Sequence, residues 1–536
     1  MFLMSVAMPA DIIIGIDSGT SVVKAVAFDF GGRQIASASV PNSFKKGADG
    51  SATQDLDQTW RDCVSALLGL AEQLPGLKER TAAISVTAQG DGTWLVSRDN
   101  RPVMDAWLWL DARAAPTVDI LAAGPASRAR FEATGTGLNT CQQGSQLAHL
   151  HRVSPHILDA ADVALHCKDW LYLCLTGERA TDPSEASFTF GNFRTRCYDD
   201  VVIDALGLSG RKHLLPKIID GTEETHPLSP EAAAQVGLKA GTPVCLGYVD
   251  MVMTALGGGV CGGTGDAACS IVGSTGVHMR AVQNEAVHLN AEGTGYVMAL
   301  PIPGMVVQAQ TNMATSLNID WILAVASDVL EMAGHKLTHR DLISRIDGWL
   351  SASLPGQILY HPYISEAGER GPFVNPQARA GFIGLSDGHR YADLVRAVVE
   401  GLAMAMRDCY LAMGGLPKEL RVSGGAARSP GVRAILSAAI GAPVRVCVRE
   451  EAGAAGAAMM AAVAIGGYPT MQDCIADWVT PHLGAPEIPD VALVESYAHV
   501  YPAFKSARIA LEPVWSQQAK ARETTAIRAG EEENSK

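Results

Sequence analysis

Two short turns of glycine and hydroxyl residues, each carried on an apolar strand and set half a chain apart, restrict the fold of this polypeptide more than any other feature. The first follows Ile12–Ile16 as Asp17-Ser18-Gly19-Thr20-Ser21 and leads into Val22–Phe28. The second follows Ala268–Val272 as Gly273-Ser274-Thr275-Gly276 and leads into Val277–Val282. A strand, a turn of small residues and a second strand bring backbone N–H groups and hydroxyls against phosphate oxygens. Glycine at 19 and 276 admits a positive φ or a close approach that a Cβ would block. Either turn alone is compatible with an ordinary hairpin, but their recurrence predicts a weak internal repeat with a nucleotide gripped between two domains. Asp17 sharpens this, because a carboxylate beside a phosphate turn needs a divalent cation between the two negative groups.

A chain of 536 residues exceeds what one core sustains. We expect two large domains, 1–262 and 263–516, divided in the glycine-dense run Gly257–Gly265, and a polar tail, 517–536, without structure. With 48% hydrophobic and 18% charged residues the chain reads as well packed. A net charge of −14 argues against nucleic acid as a partner. Eleven cysteines without a CxxC pair or His-Cys ligand spacing fit a reducing cytoplasm better than a disulfide framework or a zinc site. No apolar run reaches the roughly 18–20 residues of a membrane span. Met1–Ala10 lacks a basic n-region and reads as a leader to the first strand.

Ile12–Ile16, Val22–Phe28 and Gln34–Val40 predict an antiparallel meander, Thr59–Leu74 a helix and Ala82–Thr87 a strand. The mixed stretch from Phe131 to His213 reads as an insertion that builds a binding surface. Pro243–Val249 predicts a buried strand, Asp393–Met413 and Val432–Ile440 helices, and Glu419–Ser423 a strand. Ala452–Ile465 predicts a helix whose small side chains let another backbone approach, and Tyr497–Val514 a last amphipathic helix.

Asp250 is the leading candidate for chemistry. At the end of Pro243–Val249 it would project a carboxylate into a cleft at a strand's carboxyl end, although an Asp there could also simply cap the next helix. Phosphoryl transfer to an alcohol asks for a base at the hydroxyl, a metal on the phosphates and donors around the transferred group. Asp250, Asp17 and the two turns would supply them. The run Gln89-Gly90-Asp91-Gly92-Thr93-Trp94, with Trp107–Arg113, pairs amide and carboxylate groups with aromatic faces, as a polyhydroxylated ligand requires; tight-turn and core roles are the alternative. Ser423-Gly424-Gly425-Ala426-Ala427-Arg428-Ser429 stands between a strand and a helix and would admit a base or ribose.

In this order these motifs resemble the FGGY carbohydrate kinase family from Ile12 to about Val514. Gly19, Thr20, Ser21 and Lys24 are similar to its first phosphate motif, Gly247–Asp250 to the segment holding its base, and Gly273, Ser274, Thr275 and Gly276 to its second phosphate motif. Gly381–Leu385 through Arg396 and Glu400-Gly401 is similar to the C-terminal signature, and Gly424, Gly425, Ala426 and Ser429 to the adenosine motif. The resemblance implies a two-domain α/β fold of the actin/hexokinase (ribonuclease H-like) type that closes on ATP and Mg²⁺. It implies Asp250 as catalytic base, Asp17 as metal anchor, and Gln89, Gly90, Asp91, Trp94 and Asp250 around the acceptor. Departures matter too. Xylulokinases usually carry histidine where this chain has Asp91, and Met251 removes a polar contact after the base. An acid accepts hydrogen bonds from hydroxyls, which suits an all-hydroxyl polyol. Together with His361–Glu366, this pattern implies erythritol as acceptor, with a D- or L-xylulose as the alternative. An actin- or chaperone-like ATPase without an acceptor site is the alternative from another class; a catalytically dead sugar sensor would be expected to have lost Asp250 or Asp17, and both are present. Any self-association is expected to be a homodimer.

Overall fold

The computed structural model describes residues 10–261, 266–447 and 449–534. The leader before residue 10 and the boundary expected at 262/263 lie outside the described residues. Two six-stranded sheets carry the chain. In the first, β1 (Ile12–Ser18), β2 (Val22–Phe28), β3 (Gln34–Pro41), β4 (Thr81–Ala88), β5 (Thr225–Pro227) and β6 (Pro243–Leu246) lie in the order β5-β6-β4-β1-β2-β3. In the second, β7 (Ala267–Val272), β8 (Gly276–Gln283), β9 (Tyr296–Ala299), β10 (Met305–Asn312), β11 (Glu419–Ser423) and β12 (Val444–Val446) lie in the order β9-β10-β8-β7-β11-β12.

The repeat foreseen at two turns extends to whole sheets. In each, an antiparallel run of three strands (β1-β2-β3 and β7-β8-β10) is joined along its first strand to parallel strands (β4 then β6; β11 then β12). Each glycine-and-hydroxyl turn is the first hairpin of its sheet.

Alternation along β1 assigns its two faces. Ile12, Ile14 and Ile16 enter a core with α1 (Leu56–Gln73) and α2 (Cys167–Thr176), whereas Ile13 enters a central core shared with the second sheet. That central core also takes Cys269, Met279 and Val307 and the helices α4 (Asp250–Gly257) and α7 (Ala452–Ala464). The far face of the second sheet packs on α5 (Tyr391–Ala412), α6 (Pro430–Ile440) and α8 (Val491–Asn534).

The near-pure Ala/Gly/Met sequence of α7 has a steric cause. A Cβ at Gly456 would lie 2.2 Å from the Met253 carbonyl oxygen on α4, and one at Gly15 on β1 would lie 2.1 Å from that of Ala454. Real Cβ atoms do not approach so closely, so only glycine lets these backbones meet.

Two expectations need correction. The strand expected through Val249 stops at Leu246; Gly247 still donates to the Val86 carbonyl of β4, and beyond it Tyr248 and Val249 bond side-chain hydroxyls instead of a strand backbone. The tail from Gln517, expected to be without structure, continues α8 to Asn534, and Gln518, Ala521 and Arg522 on its first turns line a hollow with Trp321, Tyr360 and Phe382.

Candidate active site

Asp250 does not hang from a strand end but opens α4. The segment before it is tied on three sides. The Gly247 N–H donates to the Val86 carbonyl (2.9 Å), the Thr87 hydroxyl to the Tyr248 carbonyl (2.6 Å), and the Val249 N–H to Ser184 Oγ (3.1 Å). Ser184 belongs to α3 (Pro183–Phe190), within the stretch expected to build a binding surface. Gly90 stands beside the acid, where a Cβ would come within 2.4 Å of Val249.

Burial pushes the Asp250 carboxyl up from its ordinary 3.8 to about 7. The Asp17 and Asp91 charges add to the rise, and N–H groups of Met251 and Gly90 oppose it. A helix start ordinarily favours a carboxylate; here desolvation outweighs it. The result is a carboxyl that can exchange a proton near neutral pH.

Asp250 shares one cavity of about 240 Å³ with Thr20 of the first phosphate turn and Thr275 of the second. Gly90, Asp91, Trp109, Cys141 and Met251 line it from the first half of the chain, and Val277, Tyr296, Thr311, Asn312 and Arg370 from the second. A second hollow, about 830 Å³, carries Asp17, Lys24, Gly424, Gly425, Arg428 and Glu451. A hollow of about 900 Å³ under α8 is larger than either but contains none of these acids or turn residues.

In this second hollow Lys24, paired across β1 and β2 with Asp17, forms an ion pair with Glu451 at 2.7 Å. Burial raises the Asp17 carboxyl to about 6; Lys24 opposes that rise and Glu451 adds to it. Gly424 has φ +96°, and a Cβ there would lie 2.6 Å from the Val272 carbonyl oxygen, so this backbone bend admits only glycine.

Other predicted residues take different places. Gln89 is buried, and both ends of its amide are used: Oε1 accepts from Thr20 Oγ1 (2.8 Å) and Nε2 donates to Gln54 Oε1 (2.8 Å). Gln54 in turn donates to Asn42, and Asn42 to the Gly19 carbonyl. Gln89 therefore braces the first glycine turn and does not line the cavity that holds Asp250. Trp94 is wholly buried in the first core, in a two-stranded ribbon with Leu165, and does not reach the cavity. Trp109 takes that place, its indole N–H donating to Thr20 Oγ1 at 2.8 Å. Trp107 lies in a satellite core with the Arg113 guanidinium 3.8 Å above its ring.

Ser429 caps α6, accepting the Val432 N–H (3.1 Å) and donating to Asp347 (2.6 Å), and Ala426 lines a small crevice under α5 and α6. Neither lines the hollow of Asp17 and Gly424. Ser21, Gly273 and Ser274 lie on the turns but line neither cavity; the Gly273 and Ser274 carbonyls take the Ser316 and Thr315 N–H groups. At Gly276, a Cβ would lie 2.5 Å from Thr315 Oγ1, so close approach and not a positive φ requires glycine. His361, within a segment singled out in the sequence, is buried against Phe504 and bonded to its carbonyl. The nearby group that does reach the cavity is Arg370, whose only sequence signal is a charged pair between glycines, Gly368-Glu369-Arg370-Gly371. Tyr296, Thr311 and Asn312, ordinary strand residues by sequence, were likewise missed.

The model of the N-terminal domain of the FGGY family of carbohydrate kinases matches residues 12–257, and that of the C-terminal domain matches residues 268–465. The chain is 68% identical to an erythritol kinase of Brucella abortus (strain 2308), over 95% of this chain and 98% of that protein. It is 29% identical to a xylulose kinase of Escherichia coli (strain K12), over 84% of this chain and 90% of that one. Its fold superposes on gluconate kinase from Lactobacillus acidophilus with a TM-score of 0.85 at 21% identity, covering 94% of this chain and 99% of the other. These folds are of the actin/hexokinase type, as expected.

Proposed function

The chain belongs to the FGGY family of carbohydrate kinases and is an ATP-dependent phosphotransferase with an alcohol acceptor; from that premise we propose that it phosphorylates a terminal hydroxyl of erythritol, with Asp250 as general base. One juxtaposition carries the reading: the raised carboxyl of Asp250 lies in the same cavity as Thr20 and Thr275 from the two turns. In this proposal Asp250 takes the proton of the attacking hydroxyl, and Thr20, Thr275 and turn N–H groups hold phosphate oxygens. The glycine run separates the two domains that bring these groups together.

Asp17 is suited to magnesium. Among the described residues no three His, Cys, Asp or Glu side chains gather into a cage, and magnesium takes one or two carboxylates together with phosphates and water. When bound, it neutralises charge on the phosphates. Asp17 and, through its ion pair with Glu451, Lys24 would orient that end.

Three observations favour a short polyol. A cavity of about 240 Å³ falls below the roughly 300–1,000 Å³ of drug-sized ligand sites. Asp91 offers a carboxylate acceptor to a hydroxyl, and the 68% identical relative is an erythritol kinase. ADP release measured with erythritol, glycerol, xylitol, D-xylulose and L-xylulose tests this. The expected kcat/KM is highest for erythritol, by about tenfold or more; a preference for either xylulose overturns the substrate assignment.

A further inference from the structure

We propose that Arg370, with Asp91 and Tyr296, reads the hydroxyl at the end of the acceptor remote from phosphate transfer, making the length of the acceptor a condition for efficient reaction. This rests on the acceptor cavity being the one assigned above.

The segment bearing Arg370 is rigidly mounted. Glu369 and Asn375 exchange backbone hydrogen bonds at 3.0 and 2.8 Å, Glu369 Oε1 accepts the N–H groups of Met313 and Arg370, and Asn312 Nδ2 donates to the Gly371 carbonyl. On the other side Asp91 is held at φ +58°, a left-handed conformation that turns its side chain out of the Gln89–Gly92 loop. The Tyr296 hydroxyl lies 3.5 Å from Asp91 Oδ2.

Two polar atoms in this cluster are unsatisfied. Arg370 Nε and Asp91 Oδ1 are both buried, and neither finds a hydrogen-bond partner among the described residues, although both residues line the same cavity. Leaving such atoms unpaired is costly, and a ligand that supplies the partner removes the cost.

The chemistry of the missing partner follows. Asp91 Oδ1 needs a donor and Arg370 Nε needs an acceptor. A hydroxyl is both at once, whereas a carboxylate serves only the arginine and an ammonium only the aspartate. Asp91 and Arg370 line the same cavity as Asp250. An acceptor with one hydroxyl on Asp250 can therefore meet the pair only with another hydroxyl further along its chain. Asp91 comes from the first half of the chain, and Arg370 and Tyr296 from the second, so a hydroxyl bound here also ties the halves together.

The test is Arg370→Met, which keeps the aliphatic stem and removes the donors. Its kcat/KM for erythritol falls about 10- to 150-fold, the loss of a hydrogen bond to a charged group. For glycerol, one carbon shorter, it falls less than about threefold, so the preference for erythritol over glycerol collapses. Tyr296→Phe, the deletion of one oxygen, moves that preference in the same direction by a smaller factor and decides the matter if Arg370→Met melts well below wild type. An equal loss on both acceptors, or an unchanged preference, overturns the proposal. Wild-type ranking of acceptors separately tests the substrate assignment. If a five-carbon acceptor ranks first, its ratio to glycerol replaces that of erythritol and the criterion for Arg370 stands.

Discussion

Replacing Asp250 with asparagine should make the protein inactive and more stable together. Burial raises the carboxyl from 3.8 to about 7, so the folded state holds this proton more tightly than the unfolded chain. The group's contribution to stability is full below pH 3.8 and is lost as pH rises through 7. At about 1.36 kcal/mol per pKa unit, a rise of roughly three units gives an upper bound of about 4 kcal/mol of destabilisation above pH 7. The carboxylate borders an open cleft, and solvent screening reduces this to about 1–3 kcal/mol. Asparagine is neutral at every pH and escapes the penalty. Melting of Asp250→Asn without nucleotide should therefore exceed wild type by roughly 2–10 °C at pH 8, and by less than half as much at pH 5. Under the same preparation ATP binding persists, while phosphoryl transfer falls by about 10²-fold or more, as loss of a general base requires. A variant with the same melting advantage at both pH values refutes the electrostatic account. Near wild-type turnover of erythritol refutes the assignment of the base.

Gln89→Ala should lower kcat by about tenfold with little change in acceptor KM, because Gln89 holds Thr20 and does not face the acceptor; steady-state kinetics separate the two. Ser429→Ala should cost about 1 kcal/mol through loss of the α6 cap and leave the KM for ATP within about twofold, as denaturant titration and kinetics will report. Gly456→Val should fail to fold or lose more than about 3 kcal/mol, since its side chain meets the Met253 backbone 2.2 Å away; circular dichroism and yield of soluble protein check this.

Much of the architecture was legible because the signals were local. The hairpins at Gly19 and Gly276 and the strand Glu419–Ser423 follow from apolar alternation broken by small residues, and the Ala/Gly composition of residues 452–464 announced a close backbone crossing. The acceptor pocket was only half legible. Gln89, Gly90 and Asp91 stand in a conspicuous run, yet the chain directs only Gly90 and Asp91 to the cavity and turns Gln89 back to the phosphate turn. Trp94 and Trp109 are indistinguishable as isolated tryptophans; strand pairing with Leu165 consumes one, and Thr20 recruits the other. Tyr296 and Arg370 arrive from strands and a loop more than two hundred residues beyond Asp91, a juxtaposition that no local pattern encodes. Ser429 shows the converse: a serine before a proline and a helix serves the helix first.

The crossing of α4 and α7 also bears on how this protein can be taken apart. A helix encoded near residue 460 furnishes an inner wall of the first sheet, lying on β1 and β4, so the halves recognised by sequence are not self-sufficient modules. A fragment ending in the glycine run would strip from Ile13, Val26 and Phe28 the part of their core that residues 454–462 supply. Excision, split-protein and chimera experiments on this chain must therefore carry residues 452–464 along with the first half.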